Sequence, residues 1–277
     1  MQLTILGSGS PLPDPDRAGP ATLVRTAMGD LLFDCGRGVL MRAAAAGSAA
    51  GALRGLFLTH LHSDHTTDLN DIVTSRWITS FQPHPLSVYG PVGTASLLQA
   101  TEAMLELDIG YRLAHHADLS WRPSAEVVEC ARGTVVEEAE VRITAAPTDH
   151  SPVRPTVGFR VEEGSRSVVI AGDTVPCDGL DELCAGADVL VHTVVRPDLI
   201  EAIGLPRLLD VLDYHSSVED AARTAARNGV GTLVLTHLVP APQPGTESEW
   251  IALASAHFDG FVVLAQDLLT LEVGPAG

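Results

Sequence analysis

Short apolar runs broken by glycine and proline alternate along the whole chain with stretches whose apolar residues recur at helical spacing. "MQLTILGSG", "ATLVRTAMGDLLFDCG" and "LRGLFLTH" have the length and punctuation of strands. Ala-rich "RGVLMRAAAAGSA" predicts a helix. In "TTDLNDIVTSRWITS" the apolar positions Leu69, Ile72, Val73 and Trp77 fall on one helical face. "LSVYGP" then predicts a strand and "GTASLLQATEAMLEL" a helix. From about residue 127 the order repeats. "EVVEC", "AEVRITAAPT", "PTVGFRVE" and "SVVIAGDT" predict strands, "DGLDELCAGA" a short helix and "DVLVHT" another strand. "SVEDAARTAARNGV" predicts an amphipathic helix opened by Ser217, with Glu219 and Asp220 in the first turn where the helix dipole favours them. "TLVLTHL" predicts a strand, "TESEWIALASAHF" a helix and "GFVVLAQDLLTLEV" a closing hairpin. Two similar halves of this kind predict an α/β (α+β) fold in which two sheets pack face to face with helices outside. No linker or low-complexity tract interrupts them, so the expectation is a single domain over residues 1–277.

Composition adds a filled core and a constraint on partners. Hydrophobic content of 45% with 19% charged residues excludes a disordered chain. No apolar run reaches the ~20 residues of a membrane-spanning helix, and no basic leader precedes the first apolar segment. Cys35, Cys130, Cys177 and Cys184 are scattered and form no CxxC pair, which predicts idle thiols in a reduced, cytoplasmic protein. A net charge of −18 repels phosphate backbones. It predicts a small-molecule anionic substrate, no extended nucleic-acid partner and no membrane partner, while leaving room for a few arginines around one pocket.

Chemistry concentrates in "THLHSDHTTDLND", residues 59–71. In an extended segment alternate side chains share a face, so His60 and His62 can grip one ion, and Asp64 and His65 can face a second where the chain turns into the next helix. Imidazole and carboxylate suit zinc at ~2.0–2.2 Å. His-x-His-x-Asp-His arises by chance in roughly one chain per thousand of this length, which makes a plain polar loop the poorer reading. Four further segments each put a ligand-type residue at the end of a strand: "TDHS" offers His150, "AGDT" Asp173, "YHSS" His215 and "LTHL" His237. The expected assignment is His60, His62 and His150 on one zinc, Asp64, His65 and His237 on the other, and Asp173 bridging. Manganese or iron also suits this mixed donor set. Two cations ~3.5–4 Å apart can share a hydroxide and clamp an oxyanion, which is hydrolytic chemistry.

"THLHSDH", "DH", "AGDT" and "LTHL", in that order, resemble the metal motifs of the metallo-β-lactamase superfamily, and "LGSGSPLPDPDRAGPATLV" with "LLFDCGRG" is similar to the N-terminal strands of its tRNase Z-like and arylsulfatase-like branch. The resemblance spans nearly the whole chain. It implies a four-layer αββα sandwich with a dinuclear site at the sheet edges, and a homodimer. "YHSSVEDAARTAA" resembles the tRNase Z segment whose histidine contacts the scissile phosphate and helps transfer protons, which casts Asp64 and His215 as catalytic.

Three departures turn the expectation away from tRNA itself. Where tRNase Z enzymes carry "HEAT", this chain has "VHTVV", keeping His192 but placing Thr193 where the glutamate partner of the proton-transferring histidine stands. Only residues 151–172 separate His150 from Asp173, too few for the long tRNA-holding arm of many bacterial relatives. "HSDHTTDLND" also lacks the Gly-Leu-Pro-Gly segment that follows the cluster there. The favoured expectation is therefore a dinuclear zinc hydrolase of a small phosphodiester or sulfate ester, acting through a shared hydroxide. A tRNA 3′-processing endonuclease is the alternative, and a non-catalytic metal-binding scaffold a second. "RPDLIEAIGLPRLLDVLDYHSS" is expected to cover the site with an apolar wall, Arg196, Arg207 and His192 being candidate substrate contacts. His84, His115, His116 and His257 have the bland expectation of surface residues.

Overall fold

The computed structural model describes residues 1–274. Strands β1 (Gln2–Gly7), β2 (Ala21–Thr26), β3 (Gly29–Phe33), β4 (Leu53–Phe57), β5 (Leu86–Gly90) and β6 (Ala125–Glu129) build one sheet. The other contains β7 (Gly133–Glu138), β8 (Val141–Pro147), β9 (Val157–Glu163), β10 (Arg166–Ile170), β11 (Val189–Val195), β12 (Thr232–Val239) and β13 (Phe261–Leu264). A last strand, β14 (Thr270–Glu272), returns to the first sheet beside β1, so the orders are β14-β1-β2-β3-β4-β5-β6 and β13-β12-β11-β10-β9-β8-β7. Ten α-helices among the described residues are α1 (Val39–Ala45), α2 (Ser63–Thr66), α3 (Leu69–Ile78), α4 (Thr94–Met104), α5 (Glu106–His115), α6 (Asp178–Cys184), α7 (Pro197–Ile203), α8 (Pro206–Leu209), α9 (Val218–Arg227) and α10 (Glu247–Ser255). None is long and apolar enough to cross a membrane.

Layering follows from which faces are apolar. Leu3, Ile5, Phe33, Phe57 and Phe159 pack between the sheets, Phe33 stacking on Phe57 with centroids 4.8 Å apart. Leu6, Leu56, Leu69 and Ile72 fill the layer between the first sheet and its helices. Leu190, Leu235, Ala221 and Trp250 do the same on the second sheet. The result is the expected αββα sandwich of two mixed sheets. β11 runs buried from end to end, as a parallel strand covered on both faces must.

Three details depart from the pattern-based expectation. "GFVVLAQDLLTLEV" is no hairpin: β13 pairs with β12 in one sheet and β14 with β1 in the other. "EVVEC" closes the first half and does not open the second, since β6 pairs with β5. Helix α5 was not foreseen; its buried Ile109 joins Trp77 and Leu119 in a small satellite cluster.

Candidate metal centre and substrate cleft

The C-terminal ends of β4, β8, β10, β11 and β12 meet on one rim, and the loops leaving them carry the polar side chains of the site. After β4 the chain stays extended through His62 and then enters α2, which puts Asp64 and His65 in its single turn. His150 follows β8, Asp173 follows β10, and His237 lies in β12 with φ +50°, an uncommon backbone for a non-glycine residue. Gly172 beside Asp173 has φ +66°, and any Cβ there would meet the Thr59 side chain at 2.7 Å, so the two rims close onto each other only through glycine.

All seven predicted ligand positions converge. Donor atoms of His60, His62, His150 and Asp173 lie within 4.8 Å of one another, as do those of Asp64, His65 and His237, and those of Asp173, His215 and His237. Nε2 of His65 and Oδ1 of Asp173 are buried without a hydrogen-bond partner, although such atoms are normally satisfied. Orphaned imidazole and carboxylate lone pairs facing one space fit divalent cations.

A second ring of groups aims these donors. Nδ1–H of His65 donates to Asp34 Oδ2 at 2.9 Å, which leaves its Nε2 lone pair inward. Thr59 donates its hydroxyl to the same oxygen at 2.9 Å and its backbone N–H to Oδ1 at 2.8 Å, and the Thr59 hydroxyl accepts Nδ1–H of His60 at 3.1 Å. One carboxylate thus orients a histidine of each cluster. His150 donates Nδ1–H to the Tyr214 carbonyl at 2.8 Å, and His215 donates Nδ1–H to the Val211 carbonyl at 3.0 Å, its Nε2 lying 3.2 Å from Asp173. Burial pushes His60 down and His150 to about 4, keeping both imidazoles neutral. Burial alone would raise Asp173, yet the surrounding His237, His65 and His215 hold its carboxyl well below the usual range. His60 and His150 are thus in the neutral state that binds a cation, while Asp173 and Asp34 raise His65 well above the usual imidazole range, so a cation there would displace a proton.

Beside the donors opens a cleft of about 350 Å³ with Pro11, Leu12, Leu205, Leu208 and Val211 on its walls and Arg207 at its side. From the segment 196–217, Leu205, Arg207, Leu208, Val211, Tyr214 and His215 line the cleft, but its expected contacts divide. Arg207 lines the cleft. Arg196 is 5% exposed, bonded to Asp198 at 2.6 and 2.8 Å and stacked over Trp250, so it anchors the base of α7 and has no reach into the cleft. His192 is fully enclosed, donating Nδ1–H to the Thr193 carbonyl at 2.7 Å, and cannot touch a substrate. Thr193 donates to the Gly172 carbonyl, so the Val211 carbonyl occupies the Nδ1 side of His215. Residue reasoning gave no role to Asp34, although "LLFDCG" places a lone carboxylate directly after an apolar strand. It also missed the β1–β2 loop as a cleft wall.

Residues 30–238 match the family described as beta-lactamase superfamily domain. Ribonuclease Z of Mycobacterium bovis is 54% identical over 277 residues, covering 99% of both chains. Ribonuclease Z of Mycolicibacterium paratuberculosis is 58% identical over 275 residues, covering 99% of this chain and 98% of its own. Among solved structures, the short form of human tRNase Z superposes with a TM-score of 0.73 at 25% identity, over 99% of this chain and 100% of that one. YhfI of Bacillus subtilis, a metallo-β-lactamase fold protein, reaches 0.76 at 23% identity over 99% and 98%, a likeness of fold. End-to-end similarity to ribonuclease Z overturns the expectation of a small ester substrate, and with it the exclusion of extended nucleic acid drawn from net charge.

Proposed function

Starting from the chain's membership of the metallo-β-lactamase superfamily, as a metal-dependent hydrolase of ester bonds of the tRNase Z-like kind, we propose that it is a tRNA 3′-processing endonuclease of the cytoplasm, working as one domain. More than half identity to ribonuclease Z along the entire length carries this reading. His60, His62 and His150 would hold one zinc ion and Asp64, His65 and His237 a second, with Asp173 a further ligand at the site. Such ions would supply a Lewis acid for the scissile phosphate and ionise the attacking water.

The chain's own groups do the rest. His215, held by the Val211 carbonyl with Nε2 toward the donors, delivers a proton to the leaving ribose oxygen. Thr193 in place of a carboxylate does not leave this ring loose, because a backbone carbonyl already fixes it. Arg207 meets a phosphate next to the scissile one, and the Leu205, Leu208 and Leu12 walls receive an unstacked base.

Zinc-loaded protein incubated with precursor tRNA bearing a 3′ trailer tests the reading. A single endonucleolytic cut is expected, abolished by chelator, and slowed about 10²–10⁴-fold by His215→Ala with zinc content retained. Folded, zinc-loaded protein that hydrolyses an aryl phosphodiester but leaves precursor tRNA intact overturns it.

A further inference from the structure

One lip of the cleft is the loop between β1 and β2, which presents Ser10, Pro11 and Leu12, the last 63% exposed. Within the loop a local turn is closed, Asp14 accepting the Asp16 N–H at 2.8 Å and the Arg17 N–H at 3.4 Å, and at its neck the Gly9 N–H donates to the Ala18 carbonyl at 2.9 Å. Both strands of that neck are also held by a single carboxylate. Asp267, from the turn between β13 and β14, accepts the Ser8 N–H and hydroxyl on Oδ1, each at 2.9 Å. On Oδ2 it accepts the Ala18 N–H at 2.7 Å and Nε–H of Arg42 at 2.9 Å. Arg17 closes the ring, donating to the Ser8 hydroxyl at 2.7 Å and the Ala265 carbonyl at 3.0 Å. Ser8 is fully buried, and its carbonyl accepts the N–H of Leu238 at 3.3 Å, directly after His237.

We propose that Asp267 is a positioning residue for substrate binding: its carboxylate ties both ends of the 8–18 loop, so that an RNA strand entering the cleft meets a lip already in place. The inference deepens the endonuclease reading and rests on it for the identity of the substrate. Two ionised oxygens serve four donors, one of them cationic, an arrangement that no neutral side chain reproduces. Asp267→Asn keeps shape and volume but turns an NH2 against one pair of donors. The lip is then ordered only on binding, and that ordering is charged to affinity.

Hydrogen exchange and kinetics on the zinc-loaded full chain decide the matter. In Asp267→Asn the amides of Ser8, Gly9 and Ala18 should exchange at least about tenfold faster while β8 and β9 are unchanged. KM for precursor tRNA should rise about tenfold, with kcat within about twofold and zinc content equal. Ser8→Ala, which removes one hydroxyl and leaves the carboxylate, should move both readouts the same way to a smaller extent, and it carries the test if Asp267→Asn does not fold. Unchanged exchange in the loop overturns the clamp. Faster exchange with unchanged KM overturns its role in binding, and a fall in kcat with loss of zinc would mean that Asp267 serves His237 instead. If the wild type does not cut precursor tRNA, it is the endonuclease reading that fails; the exchange arm still decides the clamp, and KM is then read on an aryl phosphodiester.

Discussion

At Asp34 the backbone turns with φ +58°, a conformation that costs a non-glycine residue about 1–3 kcal/mol. That strain sets one carboxylate against both His65 and Thr59, and through Thr59 against His60. Asp34→Asn keeps an acceptor for the Thr59 N–H but sets an NH2 group against His65 Nδ1. Zinc affinity, measured by chelator competition, should fall roughly 10–100-fold with little change in circular dichroism. His192 behaves differently, being enclosed and pushed by burial to about 4. The unfolded chain takes up this proton near 6.5 and the folded chain only near 4, so the stability His192 contributes is complete above pH 6.5 and lost as pH falls toward 4, by about 3 kcal/mol at most. His192→Asn retains an N–H for the Thr193 carbonyl and does not titrate. Urea midpoints of the metal-free protein should therefore decline less steeply between pH 6.5 and 4.5 than in the wild type. The seven clustered donors were legible in the sequence because each lies at or just beyond the end of a strand and has a side chain suited to zinc. Asp34 was not, because its role exists only once Phe33 lies beside Phe57 and brings the ends of β3 and β4 together.

At the scale of elements, local pattern specifies a strand but not its partner. "FVVL" and "TLE" alternate acceptably for a hairpin, yet the first continues the parallel run β10-β11-β12 and the second caps the edge at β1. Only the distance between the two sheets decides this, and that distance is absent from a one-dimensional pattern. The cover over the site was legible as an apolar segment, but its second use was not: carbonyls of Val211 and Tyr214 hold Nδ1 of His215 and His150. Side chains explain why those carbonyls stay put. Ile200 of α7 is fully buried against Val195 and Val239, with Leu208, Leu209 and Val211 packed on the same cluster. Ile200→Ala should cost roughly 2–5 kcal/mol in urea unfolding of the metal-free protein. Because the loosened cover also releases the Tyr214 carbonyl from His150, zinc should leave this variant faster under chelator than the wild type at the same temperature. A lowered urea midpoint with unchanged zinc release would show that cover and centre are independent.

For the molecule as a whole, a net charge of −18 and the RNA substrate proposed above are reconciled by where the cations are. Every basic residue is an arginine, and of the seventeen all but Arg17, Arg37, Arg76 and Arg207 form ion pairs with carboxylates. Arg76 spends its guanidinium on four backbone carbonyls and Arg17 on the lip, which leaves Arg37 and Arg207 without such partners among the described residues, and of these two Arg207 lines the cleft. The composition argument failed because it assumed that nucleic acid must be bound by a broad basic face. A metal centre with one nearby arginine attracts a phosphodiester locally while the remaining surface repels it. The consequence is measurable. Neutralising about two or three phosphates gives a slope of log affinity against log salt between about −1 and −3. Precursor-tRNA binding to a zinc-loaded, catalytically impaired His215→Ala variant should therefore weaken only about 4- to 60-fold between 50 and 200 mM salt, against the roughly 10³–10⁵-fold of a protein with six to ten phosphate contacts. Arg207→Ala should make the slope shallower by about one phosphate, and a slope steeper than about −5 would reveal a cationic surface that this distribution of ion pairs does not provide.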